Sequence, residues 1–503
     1  TIAGTFIYTL ISVQDASTTL CNQLQSGAAT VLVNPLPTAS ISGTIAVCVN
    51  APSPDITFTG AAGTAPYTFT YTINGGPNQT VVSVGNTATV SVPTSAAGTF
   101  VYALVSVQDA TATLCSQLQS GNAIVTVNPL PTANIAGTVA VCVNAVSPDI
   151  TFNGAAGTAP YTFTYTINGG PNQTVVSVGN TATVSVPTTA AGTFTYTLIS
   201  VQDASTTLCN QAQSGNAIVT INPLPAASIS GDIELCQNDL APDIIFTGGA
   251  GTAPYTFTYN INGGPNQTVV SVGNTATVAA PTGIAGTFVY TLISVQDASA
   301  TLCSQAQTGT ATVIVNPLPV SNFNFSAPSC ETRTISFTDL SSPSVGSLVS
   351  WTWDFGDGSP TVTINAPSSP NVTHTFAAAG TYNVLLTTTN SKGCVSTTPA
   401  QQVIIHPRPL AGYIIPEVCL SDTYAQFTDT SQVAGPDVIA TWQWNFGDPV
   451  SGPLNTSALQ NPQHSYTAVG SYNVELIVTS NNGCKDTIMQ TLFVNGSFPV
   501  ANF

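Results

Sequence analysis

Cysteine is the residue type whose number and spacing suggest chemistry most clearly in this chain of 503 residues. Eleven cysteines fall into two regular series. The first series comprises Cys48, Cys142, Cys236, Cys330 and Cys419, and the second comprises Cys21, Cys115, Cys209, Cys303, Cys394 and Cys484. Because the chain has no Cys-x-x-Cys pair and no histidine near these cysteines, the pattern favours disulfide bonds over a zinc site.

The side chains that most enzyme active sites use are scarce. Charged residues make up only 5% of the chain, and the formal net charge is −17. Residues 1–332 contain no Lys or Arg, and residues 38–319 contain no His either. Ser–His–Asp and Cys–His constellations are therefore unavailable in that stretch, and binding to phosphate backbones is close to excluded. We expect a protein that is not an enzyme, binds no nucleic acid and, without an apolar run of about 18 residues, has no membrane span.

A repeat of 94 residues organises the chain. Asn-Pro-Leu-Pro begins at Asn34, Asn128, Asn222 and Asn316, always 94 residues apart, and this length corresponds to one small domain. Residues 1–37 match the last third of a repeat, so we expect them to be its C-terminal part and the chain to be a segment of a longer protein. The further predicted domains are repeat 1 (38–131), repeat 2 (132–225), repeat 3 (226–319) and two divergent domains (320–409 and 410–503).

Every repeat has the residue pattern of β-strands. In Pro66–Ile73, large apolar residues alternate with Thr, which places Tyr67, Phe69 and Tyr71 on one face of a strand and the threonines on the other. An Asn-Gly-Gly-Pro turn then ends the strand. Each repeat holds roughly seven such short strands and no helical stretch. We therefore predict an all-β chain of tandem Ig-like antiparallel β-sandwich domains.

Such a sandwich leaves the disulfide pairing open. Pairing within a repeat would join Cys48 to Cys115, but the two loops should lie at opposite ends of the sandwich, ~30–40 Å apart by strand rise. A disulfide needs Cα atoms within about 7 Å. Pairing between neighbouring domains would instead give Cys48–Cys209, Cys142–Cys303, Cys236–Cys394 and Cys330–Cys484. Free or interchain thiols are a third possibility, and under either disulfide scheme some cysteines lack partners in this sequence.

The two divergent domains share a second motif. The run Trp351–Gly358 is followed by His374, and Trp442–Asp448 is followed by His464. These runs resemble the PKD family of immunoglobulin-like domains, whose hallmark is W-x-F-G-D-G, and we refer to 320–409 and 410–503 as the PKD-like domains. The matching residues are Trp353, Asp354, Phe355, Gly356 and Asp357 in the first domain and Trp444, Phe446, Gly447 and Asp448 in the second. The second domain departs from the pattern at Asn445 and Pro449.

The three repeats are similar to Ig-like repeats of very large surface proteins that gliding bacteria export by the type IX pathway. The similarity rests on motifs such as Gly63–Phe69 and Ala97–Phe100. It implies an extracellular, cell-surface protein with an adhesin-like or filament-forming role, and it names no receptor. The favoured hypothesis is a structural segment of a long filament that supports surface attachment, gliding or prey capture. The alternative is a polysaccharide- or surface-binding module beside an enzyme elsewhere in the parent chain.

Recurring aspartates offer the only candidate ligands for a cofactor. Asp354 and Asp357 are weak candidates for calcium, since two carboxylates are few for a site of six to eight oxygens. We expect them to cap a tight turn, as we expect of the Asp that follows each Val-Gln strand end. These recurring residues are Asp15, Asp109, Asp203 and Asp297. We expect His374 and His464 to pack beside the Trp pairs.

The surface that the strands should present is nearly neutral. Soluble β-proteins usually protect their sheet edges with Lys and other charged residues, and repeats 1–3 have no Lys. Long Thr, Ser, Asn and Gln surfaces suit packing against copies of themselves. We therefore expect self-association into a homo-oligomeric filament, or association with the rest of a larger chain.

Overall fold

The computed structural model describes residues 2–496, and in this range it contains strands and one 3₁₀ segment, Pro449–Asn455. The predicted all-β class is confirmed. Residue 1 and residues 497–503, which belong to the predicted terminal domains, lie outside the described residues. None of the described segments forms a helix long and apolar enough to cross a membrane. The chain divides into two compact units, the first of Thr1–Ala226, Gly249–Ala253 and Gln296–Gln305, the second of Ala227–Gly248, Pro254–Val295 and Ala306–Phe503.

The partial repeat is a two-stranded hairpin of β1 (Gly4–Gln14) and β2 (Asn22–Val33). Its apolar side chains are exposed, whereas their counterparts in complete repeats form the core. Tyr8 is 65% exposed, and Tyr102, at the same position of the next repeat, is 2% exposed.

Repeat 1 is a sandwich of two sheets. One sheet has the order β3-β5-β8, and the other has the order β4-β11-β9-β6-β7, with β10 also paired to β9. All pairs are antiparallel except β4 with β11. The strands are β3 Thr38–Ser42, β4 Ile45–Cys48, β5 Asp55–Ala61, β6 Thr68–Ile73, β7 Gln79–Val82, β8 Thr87–Ser91, β9 Gly98–Gln108, β10 Ser116–Leu118 and β11 Asn122–Asn128.

The predicted strand faces of repeat 1 are confirmed. Tyr67, Phe69 and Tyr71 are buried between the sheets, and the threonines between them point outward. Gly60 lies so close to Tyr67 that a Cβ atom there would overlap the ring. Nine strands form rather than roughly seven, because the short β4 and β10 extend one sheet.

Repeats 2 and 3 have the same strand order as repeat 1. The strands of repeat 2 are β12 Thr132–Ala136, β13 Val139–Cys142, β14 Asp149–Ala155, β15 Thr162–Ile167, β16 Gln173–Val176, β17 Thr181–Ser185, β18 Gly192–Gln202, β19 Asn210–Ala212 and β20 Asn216–Asn222. Those of repeat 3 are β21 Ala226–Ser230, β22 Ile233–Cys236, β23 Asp243–Gly249, β24 Thr256–Ile261, β25 Gln267–Val270, β26 Thr275–Ala279, β27 Gly286–Gln296, β28 Ser304–Ala306 and β29 Thr310–Asn316.

The PKD-like domains are also β-sandwiches, and each has a buried tryptophan, Trp353 or Trp444, at its centre. The first contains β30 Phe323–Phe325, β31 Thr334–Asp339, β32 Leu348–Asp354, β33 Val362–Asn365, β34 Val372–Thr375, β35 Gly380–Asn390, β36 Val395–Thr397 and β37 Gln401–Ile405. The second contains β38 Tyr413–Ile414, β39 Val418–Cys419, β40 Ala425–Gln426, β41 Thr428–Asp429, β42 Ile439–Asn445, β43 Thr456–Ser457, β44 Gln463–His464, β45 Gly470–Ser480 and β46 Lys485–Asn495.

Candidate functional site

Four disulfide bonds join neighbouring domains. Each links a cysteine of the first series to a cysteine of the second series in the next domain, with Cα–Cα distances of 5.4–5.8 Å. These distances are typical of disulfides. The pairs are Cys48–Cys209, Cys142–Cys303, Cys236–Cys394 and Cys330–Cys484. Of the two disulfide schemes that the sequence left open, the structure has the one between neighbours.

Pairing within a repeat, such as Cys48 with Cys115, does not form. Cys48 pairs with Asn128 at the end of β11, which lies beside Gly98 at the start of β9. Cys115 follows the other end of β9, where β10 pairs with Gln108. The two cysteines are thus separated by the length of β9, about 30 Å at the usual strand rise.

Three cysteines, Cys21, Cys115 and Cys419, form no disulfide among the described residues. Cys419 lies opposite Asn495 in the parallel pairing of β39 with β46. Cys48 lies opposite Asn128 in the same way. Cys419 therefore holds the position of the bonded first-series cysteines.

A threonine and an asparagine flank the bridge between repeats 1 and 2. Thr207 Oγ1 lies 3.0 Å from Cys209 Sγ and 3.4 Å from Cys48 Sγ. It also accepts a hydrogen bond of 2.9 Å from Asn128 Nδ2. Sequence reasoning missed this contact, although each Asn-Pro-Leu-Pro asparagine recurs at a fixed distance from a Thr-Leu-Cys run. The equivalent contacts are Asn34–Thr113 at 3.0 Å and Asn222–Thr301 at 2.9 Å.

Buried aspartates hold the loops that carry the second-series cysteines. Asp203 is 3% exposed, and its Oδ1 accepts hydrogen bonds from the Cys209 and Ser205 backbone N–H groups at 2.9 and 3.2 Å. At the equivalent Asp109, burial alone would raise the carboxyl pKa, but hydrogen bonds, mainly from Thr111, outweigh it and lower the pKa. These contacts support the interpretation of the recurring aspartates as turn caps.

The bridge between repeat 3 and the first PKD-like domain has an ion pair beside it. Lys392 Nζ lies 2.7 Å from Glu234 Oε1, which also accepts a hydrogen bond from Asn316 Nδ2 at 3.0 Å. The hydrogen bond from Lys392 lowers the pKa of Glu234. Both charged side chains are 42% exposed, so the pair contributes little stability beside the disulfide.

The junction of the two PKD-like domains carries more charged contacts. Arg408 Nη2 donates to Asp486 Oδ1 at 2.6 Å, and Asp486 Oδ2 accepts from the Ala411 backbone N–H at 2.8 Å. His406 Nδ1 lies 3.3 Å from Asp437 Oδ2. Together with Cys330–Cys484, these contacts fix the end of one domain against the next.

The Trp-Asp-Phe-Gly-Asp run of the first PKD-like domain forms a tight turn after β32. Asp354 Oδ1 accepts a hydrogen bond of 3.0 Å from the Gly356 N–H. Asp357 Oδ1 accepts from the Ser359 N–H at 3.0 Å, and Asp357 Oδ2 lies 2.7 Å from His374 Nε2. These bonds favour turn capping for both aspartates over the weak calcium hypothesis. Among residues 2–496, no cluster of three His, Cys, Asp or Glu side chains could hold a metal ion.

The second PKD-like domain shows why its departure from the motif is tolerated. Asn445 Oδ1 accepts a hydrogen bond of 3.0 Å from the Gly447 N–H, as Asp354 does for Gly356. The turn therefore needs an acceptor oxygen at this position and not a negative charge. Asp448 Oδ2 lies 3.2 Å from His464 Nε2, so the second contact of the motif is also kept.

The expectation that His374 and His464 pack beside the Trp pairs is wrong. His374 stacks on Phe355 at a ring-centroid distance of 3.9 Å, and His464 stacks on Phe446 at 4.4 Å. Each histidine is on the strand of the smaller sheet that faces the Phe of the turn. Each histidine thus contacts both the phenylalanine ring and an aspartate carboxylate of the turn, and so holds the turn in place.

The contact between Asp357 and His374 predicts that the stability of the first PKD-like domain falls at acid pH. Burial alone would raise the pKa of Asp357, but hydrogen bonds from Ser359 and His374 lower it from 3.8 to about 2. A lowered pKa in the folded state stabilises the fold above the unfolded pKa, and this gain is lost as the pH falls from about 4 to 2. We expect the Asp357→Asn variant to lose on the order of 1–2 kcal/mol at pH 6 and to differ from the wild type by less than about 0.5 kcal/mol near pH 2.

Urea unfolding followed by tryptophan fluorescence measures this difference, because all four Trp residues lie in the PKD-like domains. A difference between the two proteins that is the same at pH 6 and pH 2 would contradict the role given to Asp357. The Asp354→Asn variant is the control. Since Asn445 makes the same bond in the second domain, Asp354→Asn should have little effect at either pH.

The last two domains match a known family. The PKD domain family matches residues 316–405 and 407–494, about a third of the chain. Human polycystin-1 is 35% identical over 126 residues, which cover 25% of this chain and 3% of polycystin-1. The chain thus spans about 3% of the length of that relative.

Two solved structures illustrate the range of similar β-domains. The PKD1 domain of the Vibrio cholerae metalloprotease PrtV is 32% identical, with a TM-score of 0.15, over 18% of this chain and 98% of that domain. A chain of a 1.5-MDa bacterial ice-binding adhesin is 16% identical, with a TM-score of 0.29, over 56% of this chain and 98% of that one. These scores are low, so the family match carries the assignment. Within this tandem array of β-sandwiches, residues 316–405 and 407–494 match the PKD domain family.

Proposed function

We propose that the chain is a non-catalytic, load-bearing segment of a long extracellular filament or adhesin. The observation that carries this proposal is the set of four disulfides that bond each domain to its neighbour. A disulfide within one domain would stabilise that domain alone. A disulfide between domains also transmits tension past a domain that has unfolded, as an array under load requires.

The arrangement limits how far the chain lengthens when one domain unfolds. If repeat 2 opens, repeat 1 stays connected through residues 132–142 to Cys142, which is bonded to Cys303 of repeat 3. Cys48 of repeat 1 also remains bonded to Cys209. Only about eleven residues, or roughly 40 Å of extended chain, then carry the load, in place of a whole repeat.

Four disulfides fit an oxidising, extracellular compartment. We further propose attachment to the cell surface, export by the type IX pathway of a gliding bacterium and a role in attachment, gliding or prey capture. These finer points rest on the similarity of the repeats to giant surface proteins. The six-part division at 37/38, 131/132, 225/226, 319/320 and 409/410 is part of the same proposal.

Immunoelectron microscopy of producing cells, with antibodies against 38–319, tests the proposal. We expect label on extended structures outside the cell, and surface attachment under flow that weakens when two repeats are deleted in frame. Label confined to the cell interior, or attachment that the deletion leaves unchanged, would refute it. Binding of 320–503 to a glycan array would favour the alternative of a polysaccharide-binding module.

A further inference from the structure

The larger sheet of each complete repeat ends in an unprotected strand. These strands are β7, β16 and β25, and each lies at the end of its sheet with a strand on one side only. In an antiparallel sheet, every second residue of such a strand directs its backbone N–H and C=O away from the sheet. Each repeat thus offers a short row of backbone donors and acceptors.

Exposed valines mark this edge in all three repeats. In repeat 1, Val81 and Ser83 face the sandwich, whereas Val82 and Val84 face outward and are 60% and 91% exposed. The run Gln-Thr-Val-Val-Ser-Val-Gly-Asn is identical in the three repeats. The equivalent exposures are 59% and 91% for Val176 and Val178, and 58% and 90% for Val270 and Val272.

Repeats 1 and 2 carry little charge that would oppose the approach of a like surface. Repeat 1 contains only two charged residues, Asp55 and Asp109, and Asp109 is buried. Natural edge strands are usually protected by Lys, Pro or an inward charge. Repeats 1 and 2 each have a net charge of only −2, so the self-repulsion between these repeats is weak.

We propose that the β7, β16 and β25 edges are the surface through which a second copy of this chain binds, edge strand to edge strand and antiparallel. This inference deepens the proposed function by naming the surface for lateral assembly. An antiparallel pair of identical strands is self-complementary, so Val82 of one copy would lie beside an equivalent edge of the other. Val84 follows β7 in a turn, where its N–H donates to the Thr87 carbonyl oxygen, and it would add only its exposed side chain to the contact. Main-chain hydrogen bonds supply the affinity and the valines exclude water.

A second copy fits as the partner because its edges recur with the same 94-residue period, so several edges can pair at once. One four-residue edge gives a weak contact, since it offers few hydrogen bonds. Repeats 1 and 2, which lie in the same compact unit, are fixed to each other by Cys48–Cys209. Once one edge of two covalently joined repeats has bound, the second edge is held close to its partner at a high effective concentration. Two weak contacts can therefore give a stable pair.

Lysine substitutions at the most exposed valine test the surface. We expect the triple variant Val84→Lys, Val178→Lys, Val272→Lys to associate at least about tenfold more weakly than the wild type in sedimentation velocity. The matched control is Ser53→Lys, Ser147→Lys, Ala241→Lys, which adds the same charge at exposed loop positions of the same repeats. The control should associate like the wild type.

A charge-reversed partner tests direct contact between edges. The triple variant Val84→Glu, Val178→Glu, Val272→Glu should fail to associate alone, and mixing it with the triple Val→Lys variant should restore association. A wild type that stays monomeric at all concentrations, a Lys variant that associates as the wild type does, or a mixture that stays monomeric would each overturn the proposal. If Tyr8→Lys in the exposed hairpin abolished association instead, the hairpin face would be the contact. All these outcomes leave the test for an extracellular load-bearing role unaffected.

Discussion

Stretching the chain by its two ends should give a maximum length of roughly 550 Å with the disulfides intact and roughly 1,700 Å after reduction. In the oxidised chain, the load follows the shortest covalent path. That path contains about 160 residues, and the remainder lies in slack loops that bear no tension. Its segments are Thr1–Cys48, Cys209–Cys236, Cys330–Cys394 and Cys484–Phe503.

The overlap of the bridges makes the expected effect of single variants uneven. Loss of Cys142–Cys303 leaves the shortest path unchanged. Loss of Cys236–Cys394 diverts the load through Cys142–Cys303, along a path that is only about three residues longer than the original one. Loss of Cys48–Cys209 lengthens the path by about 29 residues, or roughly 100 Å, and loss of Cys330–Cys484 lengthens it by about 25 residues, or roughly 85 Å. The two middle bridges are therefore mechanically redundant, and the outer two are not.

Single-molecule force spectroscopy of the tethered chain, with and without a thiol reductant, measures these lengths. Paired Cys→Ser variants at each bridge provide the controls. A full-length extension of the oxidised chain would show that the bridges do not form as described. Equal lengthening by all four paired variants would contradict the overlapping arrangement.

Gly356→Ala should destabilise the first PKD-like domain by about 3 kcal/mol or more. Gly356 has a φ of +68°, and a Cβ there would lie 2.5 Å from the backbone oxygen of Asn383. Because that oxygen belongs to β35, the strand cannot move away without disturbing the sheet. Gly447 has the same geometry against Asn473 in the second domain.

The neighbouring glycine provides a matched control for this substitution. Gly358 also has a positive φ, +82°, but a Cβ there would meet no atom within 4 Å. Gly358→Ala should therefore cost only the backbone strain, about 1 kcal/mol. Thermal unfolding followed by tryptophan fluorescence should show a midpoint at least about 10 °C lower for Gly356→Ala than for Gly358→Ala. Equal midpoints would mean that the approach of Asn383 is not what requires Gly356.

The strand pattern of the repeats could be predicted from the sequence, because alternation of aromatic residues with Thr reports directly which side of a strand is buried. Tyr67, Phe69 and Tyr71 illustrate this, since each is buried as expected. The short β4 could not be predicted in the same way. Its parallel pairing with β11 depends on two segments about 80 residues apart in sequence.

The disulfide pairing could not be predicted from the sequence either, because it also depends on contacts between distant segments. Both schemes used one cysteine of each series, and only the placement of Cys48 beside Asn128 decides which end of the sandwich it occupies. The position of His374 depended similarly on how the smaller sheet faces the turn, where Phe355 rather than a tryptophan meets the ring. Local pattern thus predicted the strands, and contacts between distant strands determined the site.

The overlap of the four bridges also bears on survival after proteolysis. The loops closed by Cys48–Cys209, Cys142–Cys303, Cys236–Cys394 and Cys330–Cys484 together cover every peptide bond from residue 48 to residue 484. A single cut anywhere in that range leaves the two pieces covalently joined. Outside the cell, where proteases are present and damaged chains cannot be replaced in place, such an array would keep its length and continuity after a cleavage that would sever an ordinary string of domains.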